Sequence, residues 1–245
     1  MIQEIIVTIV FLGHACFLIQ TDDVSIMIDP YNERVGYPME QQKADIVLIT
    51  HEHADHNNVG LAIGAPLVLR GLKEGGKNWE KIDFKKDSLH IYSVPAYHDN
   101  EQGKKRGLNT IFVIEIGKMR MCHSGDLGTT LSETQLKAIG KIDLLMIPTG
   151  GFFTIEKEDQ LKVLEQLKPG MVFPMHYKTN VNAKWPISDI TSFKSALKDA
   201  HILQLKTNTI KVSNVQGSLV DKEKIEFEQK ANTPPHVIIL DPLVR

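Results

Sequence analysis

Short apolar runs rich in β-branched residues recur along this chain, and most are bounded by glycine, proline or small polar residues. Runs of this length and composition are typical of buried strands rather than helices. The first three cover residues 5–11, 16–19 and 24–28, and the turn sequences between them are short enough for hairpins. Further strands are predicted at 45–50, 66–69, 89–94, 110–116, 119–122, 143–147, 171–174, 209–215 and 237–240.

Helical patterns are fewer and lie mainly in the second half of the chain. Ser132 is suited to cap a helix over 132–139. An apolar stripe predicts another helix over 155–167, with Thr154 as its cap. Two further helices are predicted over 59–63 and 188–200. Hairpins followed by alternating strands and helices predict the α/β class, with two mixed sheets packed face to face and helices outside.

The size and composition of the chain are those of a globular protein with a sizeable core. Of its 245 residues, 42% are hydrophobic and 24% charged. We expect a single domain over 1–245, with 216–245 as a C-terminal extension whose role the sequence does not indicate. A net charge of −2 gives no global attraction to nucleic acid or to an anionic membrane. The two cysteines exclude a disulfide scaffold, and without a membrane-spanning run or signal-peptide pattern they predict a cytoplasmic location.

One segment that follows a predicted strand concentrates the candidate metal ligands. It is residues 51–56, with the sequence HEHADH. Imidazole nitrogens and carboxylate oxygens are ligands for zinc, manganese and iron. Because residues two apart in an extended segment face the same way, His51 and His53 can point at one cation. Asp55 and His56 follow where the chain bends and can point at a second cation, about 3.5–4 Å away in two-metal hydrolytic sites.

Three polar residues at other strand ends can complete two such sites. His98 can join the first pair of ligands, and His176 can join the second pair. Asp126 can bridge both cations, since the glycine before it allows a close approach of the backbone. Strand-end loops of layered α/β folds gather into one cleft, which would bring these residues together. The alternatives that remain open are a solvated loop for His98, an Asx turn or helix cap for Asp126, and a hydrogen-bonded structural histidine for His176.

Other polar residues near these segments are candidates for supporting roles. Asp29 ends a strand and can orient a loop histidine through its ring N–H. His14 and His123 lie in turn-like segments, where support of a ligand, contact with substrate and a purely structural role are all open. Lysine and arginine side chains that can bind a phosphate or carboxylate, or simply form a solvated face, are Lys104, Lys105, Arg106 and Lys178. Residues for which we expect no catalytic role are His90, His201, His236 and the core residue Cys122.

The order of these motifs resembles the metallo-β-lactamase superfamily. More narrowly, the chain is similar to the branch that holds ascorbate-6-phosphate lactonase-like proteins and other metal-dependent hydrolases. The segments that carry this resemblance are GHA at 13–15, DP at 29–30, PAYH at 95–98, SGD at 124–126, PTGG at 148–151 and PMHY at 174–177. The resemblance covers roughly residues 5–215. It implies a four-layer αββα sandwich with a dinuclear metal site at one edge of the sheets.

The function implied is that of a metal-dependent hydrolase. Two divalent ions, zinc first and manganese or iron as alternatives, would activate a hydroxide toward a small ester, lactone or phosphodiester, with Asp55 orienting it. The expected ligands are His51, His53, Asp55, His56, His98, Asp126 and His176. A metal-dependent nuclease and a non-catalytic metal-binding regulatory module stay open as alternatives. We expect a small-molecule substrate, for which an anionic group is one option, and no nucleic-acid or membrane partner; homo-oligomerisation is left open.

Overall fold

The first of two mixed sheets contains the predicted N-terminal hairpins. The computed structural model describes residues 5–197, 199–213 and 234–243. Numbered along the chain, the strands of this sheet have the spatial order β15 (Thr209–Ser213), β1 (Ile6–Gly13), β2 (Cys16–Gln20), β3 (Ser25–Ile28), β5 (Ile46–Ile49) and β7 (Leu67–Arg70). The strands from β15 to β3 pair antiparallel, and β3, β5 and β7 pair parallel.

The second sheet contains most of the later strands. Their spatial order is β14 (His201–Gln204), β16 (His236–Ile239), β13 (Met171–Met175), β12 (Leu144–Pro148), β11 (Met119–His123), β10 (Leu108–Ile116), β9 (Leu89–Tyr97) and β8 (Asp83–Lys86). The strands from β8 to β11 pair antiparallel, and the remaining pairs are parallel. A separate parallel pair joins β4 (Gln42–Lys43) to β6 (Ala62–Ile63).

The two sheets pack face to face over one continuous apolar core. Phe17 of the first sheet and Phe112 and Phe173 of the second are almost completely buried in it. The rings of Phe17 and Phe173 meet edge to face with their centroids 6.4 Å apart. Each fully buried phenylalanine contributes about 1.5–3 kcal/mol through removal of its surface from water. The predicted stacking of two sheets is therefore confirmed, and it fixes the strand ends of both sheets relative to one another.

Different outer layers cover the two sheets. The second sheet is covered by α1 (Glu133–Ile139), α2 (Lys157–Leu167) and α3 (Ile190–Ala196), whose apolar faces form one cluster with its outward-facing side chains. The first sheet is covered by long loops and 3-10 turns, and Tyr31, Tyr37 and Leu61 pack there with its outer face. The architecture confirms the predicted α/β class, with the α-helices of the described chain on the second sheet.

Two predicted helices begin at other residues, and a third is a short 3-10 helix. The backbone N–H of Ile155 donates to the carbonyl of Leu127 at 2.7 Å, which holds Ile155 outside α2, so Glu156 rather than Thr154 is the N-cap residue. Asp189 caps α3 through a hydrogen bond from the N–H of Thr191 at 2.9 Å, and the helix ends before residue 197. The helix predicted over 59–63 is confirmed in part: a 3-10 helix covers Val59–Leu61, and the remaining two residues form β6.

Some elements agree with the sequence patterns, while others carry no clear signal. Ser132 caps α1 in a capping box with Gln135, as its sequence predicts. The strand predicted over 237–240 is β16, which inserts between β13 and β14. The sequence did not indicate β8 and β14, the two edge strands of the second sheet, because an edge strand needs only one partner and one apolar face. The charged segment 221–229 lies outside the described residues.

Candidate metal centre

Polar residues at four strand ends converge at one edge of the sandwich. β5 of the first sheet leads into residues 51–56, and three strands of the second sheet lead to His98, Asp126 and His176. The predicted ligands, although distant in sequence, therefore lie in a single cluster. We call this cluster the floor; it comprises His51, His53, Asp55, His56, His98, Asp126 and His176.

The floor divides into two groups of potential ligands. In the first group, one nitrogen from each of His51, His53 and His98 lies within 4.8 Å of the others. The second group has the same mutual spacing and consists of His14, Asp55, His56 and His176. The structure thus groups these residues as the strand-end argument predicted, and the β1–β2 turn adds His14 to the second group.

Asp126 lies between the two groups. Its Oδ2 atom is 3.1 Å from Nε2 of His98 and 3.9 Å from Nε2 of His51. The same oxygen is 3.3 Å from Nε2 of His56 and 3.4 Å from Nε2 of His176. A carboxylate oxygen that faces four imidazole nitrogens, two from each group, has the position required to bridge two cations.

A buried aspartate behind the floor orients two of the histidine rings. Oδ2 of Asp29 accepts hydrogen bonds from Nδ1 of His56 at 3.0 Å and from the hydroxyl of Thr50 at 2.7 Å. Oγ1 of Thr50 in turn accepts a hydrogen bond from Nδ1 of His51 at 2.9 Å. With both Nδ1 atoms protonated, the Nε2 lone pairs of His51 and His56 face the floor, as metal ligation requires.

His14 supports the second group from the β1–β2 turn. Its Nε2 atom is 3.1 Å from Oδ2 of Asp55, and its ring lies 4.1 Å from that of His176, centroid to centroid. Burial, together with the nearby His176, lowers the pKa of His14 to about 4. His14 is therefore neutral at pH 7 and donates its Nε2–H to the Asp55 carboxylate.

The turn before Asp126 is held by close contacts that require glycine. Gly125 has a φ of +55°, and a Cβ atom there would lie 2.3 Å from Oδ1 of Asn109. That Asn109 oxygen accepts the backbone N–H of Asp126 at 3.1 Å. His123 adds a second anchor, since its Nε2 donates to the carbonyl of Ala15 at 2.9 Å and its Nδ1 accepts the N–H of Gly125 at 3.2 Å. His123 thus positions the turn.

Three residues of the floor have pKa shifts that suit metal ligation. Burial lowers the pKa of His51 well below its usual value and also lowers the pKa of His53, so both are neutral donors at pH 7. Burial would raise the pKa of Asp126, but His176 and His56 outweigh it and hold that pKa well below its usual range. The floor therefore combines neutral imidazoles at His51 and His53 with an ionised carboxylate at Asp126. Burial would lower the pKa of His56, but the Asp126 and Asp55 carboxylates outweigh it and hold that pKa well above its usual value, so a metal bound there would displace a proton.

The atoms of the floor fit divalent metal ions. Among the described residues, the buried Nε2 of His56 and Oδ1 of Asp126 have no hydrogen-bond partner. Such atoms are costly to bury unless something binds them, and a cation would satisfy both. Nitrogen and carboxylate donors suit zinc, manganese and iron. His53 is exposed, so the first group keeps a side open to the solvent.

A cavity of about 480 Å³ opens above the floor, a volume typical of small-molecule sites. Its base is lined by His53, Asp55, His98, Asp126 and His176. Its walls are formed by a second set of residues that we call the rim: Lys105, Arg106, Phe153, Lys184, Trp185 and Pro186. The chain therefore places charged and aromatic side chains around the entrance to the candidate metal centre.

Several residues named from the sequence lie away from both the floor and the rim. Lys104 and Lys178 do not line the cavity, and the backbone N–H of Lys178 pairs with Ser188 at 2.9 Å. His90 is held between Asp83 and Glu115. Cys122 is buried in the core between the second sheet and its helices.

Other residues around the site were missed from the sequence. Thr50 adjoins the HEHADH segment, so its position beside the predicted ligands is the signal that could have identified it. Asn109, whose side chain holds the Asp126 turn, lies within β10 without any local cue. Phe153, Lys184 and Trp185 belong to loops, where no periodicity indicates the direction of a side chain.

Known proteins are similar to this chain in both sequence and fold. Residues 8–176 match the β-lactamase superfamily domain. The chain is 34% identical over 224 residues to a UPF0173 metal-dependent hydrolase of Thermococcus onnurineus, covering 82% of this chain and 96% of the relative. It is 32% identical over 228 residues to a UPF0173 metal-dependent hydrolase of Pelotomaculum thermopropionicum, covering 81% and 95%. A Thermotoga maritima crystal structure, assigned to the zinc-dependent hydrolases of the metallo-β-lactamase superfamily, aligns with a TM-score of 0.67 and 25% identity over 95% of this chain and 98% of that one.

Fold, sequence and donor set define a metal-dependent hydrolase. The chain belongs to the metallo-β-lactamase superfamily, and within it to the UPF0173 metal-dependent hydrolases. The resemblance noted from the motifs and the predicted sandwich fold are thereby confirmed. None of the described helices has the length and apolar character needed to cross a membrane.

Proposed function

We propose that this chain hydrolyses a small ester, lactone or phosphodiester at a dinuclear metal centre formed by the floor. The observation that carries the proposal is the position of Asp126. Its Oδ2 atom lies 3.1–3.9 Å from the Nε2 atoms of four histidines, two in each group of ligands. One metal would need only one such group, whereas a shared carboxylate between two groups suits two metals.

Each residue of the floor has a distinct role in this proposal. One metal would be held by His51, His53 and His98. The other would be held by Asp55, His56 and His176. Asp126 would bind both, and zinc is the ion that the histidine-rich donor set favours. Two divalent ions so bound supply an activated water nucleophile and stabilise the negative charge that develops on the electrophile.

Asp55 is the floor residue best placed to direct the nucleophile. It lines the cavity, and its side chain is 29% exposed, so one carboxylate oxygen can accept a hydrogen bond from an attacking water. The Nε2–H of His14 donates to Oδ2 of Asp55 at 3.1 Å and so fixes the orientation of the carboxylate. Positioning of this kind lowers the entropic part of the barrier without forming a covalent intermediate.

The cavity and the cysteines support a small-molecule substrate and a reducing compartment. A cavity of about 480 Å³ suits a small-molecule substrate better than a nucleic acid. Cys16 and Cys122 are both buried and free, which suits a reducing compartment such as the cytoplasm. Salt-sensitive binding of RNA or DNA would contradict this part of the proposal.

Metal analysis combined with an activity screen tests the proposal. Elemental analysis of the purified protein should find two divalent ions per chain. Lactones, phosphodiesters and nitrophenyl esters should include a substrate whose turnover a chelator stops and added metal restores. His53→Ala should abolish hydrolysis and lower the bound metal, whereas His201→Ala removes an exposed histidine on β14 and should change neither. Undiminished turnover by metal-depleted protein would refute the proposal.

A further inference from the structure

The rim carries more positive charge than its neighbours neutralise. Lys105 forms an ion pair with Glu101, so its charge is largely offset. Arg106 and Lys184 line the same cavity, and within the described chain neither forms an ion pair with a carboxylate. Two uncompensated cations at the entrance of a small cavity raise the local concentration of anions there.

The position of Arg106 is fixed by the loop that carries it. The carboxylate of Asp99, which is 3% exposed, accepts hydrogen bonds from four backbone N–H groups of this loop. The four donors and their distances are Glu101 at 2.8 Å, Gly103 at 2.9 Å, Lys105 at 2.9 Å and Arg106 at 2.7 Å. Asp99 directly follows the candidate ligand His98, so the loop that it holds has a fixed position relative to the floor.

The side chain of Arg106 is also held in place. Its Nη2 donates to the carbonyl of Phe152 at 2.7 Å, and its guanidinium carbon lies 5.9 Å from the centre of the Phe153 ring. The ring of Phe153 meets Trp185 edge to face with centroids 6.3 Å apart. A guanidinium has five N–H donors in a planar fork, so most remain for a ligand. Arg106 therefore presents preorganised donors beside an aromatic wall.

We propose that Arg106 is the specificity-determining residue of this hydrolase and binds an anionic group, a carboxylate or a phosphate monoester, on the substrate. The substrate is then an ester or lactone whose anionic group is separated from the scissile bond by an apolar portion. That portion packs against Phe153 and Trp185 while the scissile bond lies over the floor. This inference rests on the hydrolytic function proposed above. Lys184, which is exposed, contributes long-range attraction without a fixed geometry.

Three esters with one leaving group test the inference. 4-Nitrophenyl butyrate is neutral, and mono-4-nitrophenyl glutarate carries a carboxylate. 4-Nitrophenyl 4-phosphonobutyrate carries a phosphonate, a stable analogue of a phosphate monoester. The metal-loaded wild type should prefer at least one anionic ester by kcat/KM, and whichever is preferred identifies the anion. In Arg106→Gln the ratio of kcat/KM for that ester to kcat/KM for the butyrate should fall about 10- to 100-fold, mainly through KM, because charge-assisted hydrogen bonds are lost.

Two further variants distinguish a specific contact from a general effect of charge. Lys104→Gln removes one positive charge from the same loop, but Lys104 is exposed and does not line the cavity, so the ratio should stay within about twofold of the wild type. Arg106→Lys keeps the charge but not the planar fork, and should recover only part of the loss. Calorimetric titration with 5-oxohexanoate, a ketone analogue that keeps the carboxylate but has no ester bond to hydrolyse, should show weaker binding to Arg106→Gln than to the wild type.

The outcomes separate this inference from the proposed function. If the metal-loaded wild type hydrolyses none of the three esters, nor any substrate of the screen, the proposed function fails. If it hydrolyses the butyrate and shows no preference for either anion, only the assignment of Arg106 is overturned. Equal changes in the ratio for Lys104→Gln and Arg106→Gln would also overturn it, since general electrostatics would then suffice.

Discussion

The floor and the rim of the cavity are built in opposite ways. The floor residues His51, His56 and Asp126 follow buried strands and are at most 2% exposed. The rim residues Arg106 and Trp185 come from loops and are partly exposed. Strand ends fixed by a close-packed core hold ligands to a narrow geometry, whereas loops can change without disturbing that core. The difference agrees with the proposals above, in which the strand ends hold the metal ligands and the loops contact the substrate.

Removing the shared carboxylate tests the floor most severely. Asp126→Asn keeps the size of the side chain but removes the charge that two cations would share. We expect kcat/KM to fall by at least about 10³-fold, because residues that act as a unit lose most of the activity together. Elemental analysis should find less than the wild-type metal content. Unchanged metal content in this variant would show that Asp126 is not a ligand.

Removing the hydrogen bonds that Asp29 makes behind the floor should have a smaller effect on activity than replacing Asp126. Asp29→Asn would present an amide to Nδ1 of His56, which disturbs the ring tautomer that faces the floor. Loss of such an outer hydrogen bond typically costs about 10- to 100-fold in metal affinity or activity. Competition with a metal chelator measures the affinity. Asp45→Asn is the control, because Asp45 bonds Ser25 at the far end of β5 and has no contact with the floor.

The floor could be predicted from the sequence because its chemistry needs rare residue types at strand ends. Three histidines and an aspartate within six residues after an apolar run seldom occur together unless they bind a cation. Most strands were also predictable, since a strand buried on both faces needs a continuous apolar run. The partners behind the floor were harder to find. Thr50 and Asn109 are common polar residues, and their importance depends on contacts made across the fold.

The rim could be predicted only in part. Lys105 and Arg106 were named because they follow His98 in a polar segment, yet nothing in the sequence separates them from Lys104, which does not line the cavity. Loop direction depends on the bonds that close the loop, here those of Asp99. Similarly, α2 begins later than its apolar stripe suggests, because Ile155 bonds Leu127. In each case a tertiary contact overrides the local pattern.

The aromatic wall gives a prediction of intermediate size. Phe153→Leu should raise KM for aromatic esters about 2- to 10-fold, because an aromatic contact is worth about 0.5–1.5 kcal/mol beyond its area. Phe152→Leu is the matched control, since Phe152 is the neighbouring residue, is 52% exposed and does not line the cavity. Steady-state kinetics with nitrophenyl esters would separate the two. A larger increase in KM for Phe152→Leu would mean that Phe152, and not Phe153, contacts the substrate.

A pair of lysines gives the smallest expected effect and the sharpest test of the rim. Lys184 lines the cavity, whereas Lys178, which the sequence placed beside the candidate ligand His176, does not. Lys184→Gln should raise KM for an anionic ester about 1.5- to 5-fold, the size of an exposed ionic contact, and added salt should reduce the difference. Lys178→Gln should leave KM within error of the wild type. A larger increase in KM for Lys178→Gln than for Lys184→Gln would mean that Lys178, and not Lys184, contacts the substrate. The definition of the rim would then have to include Lys178.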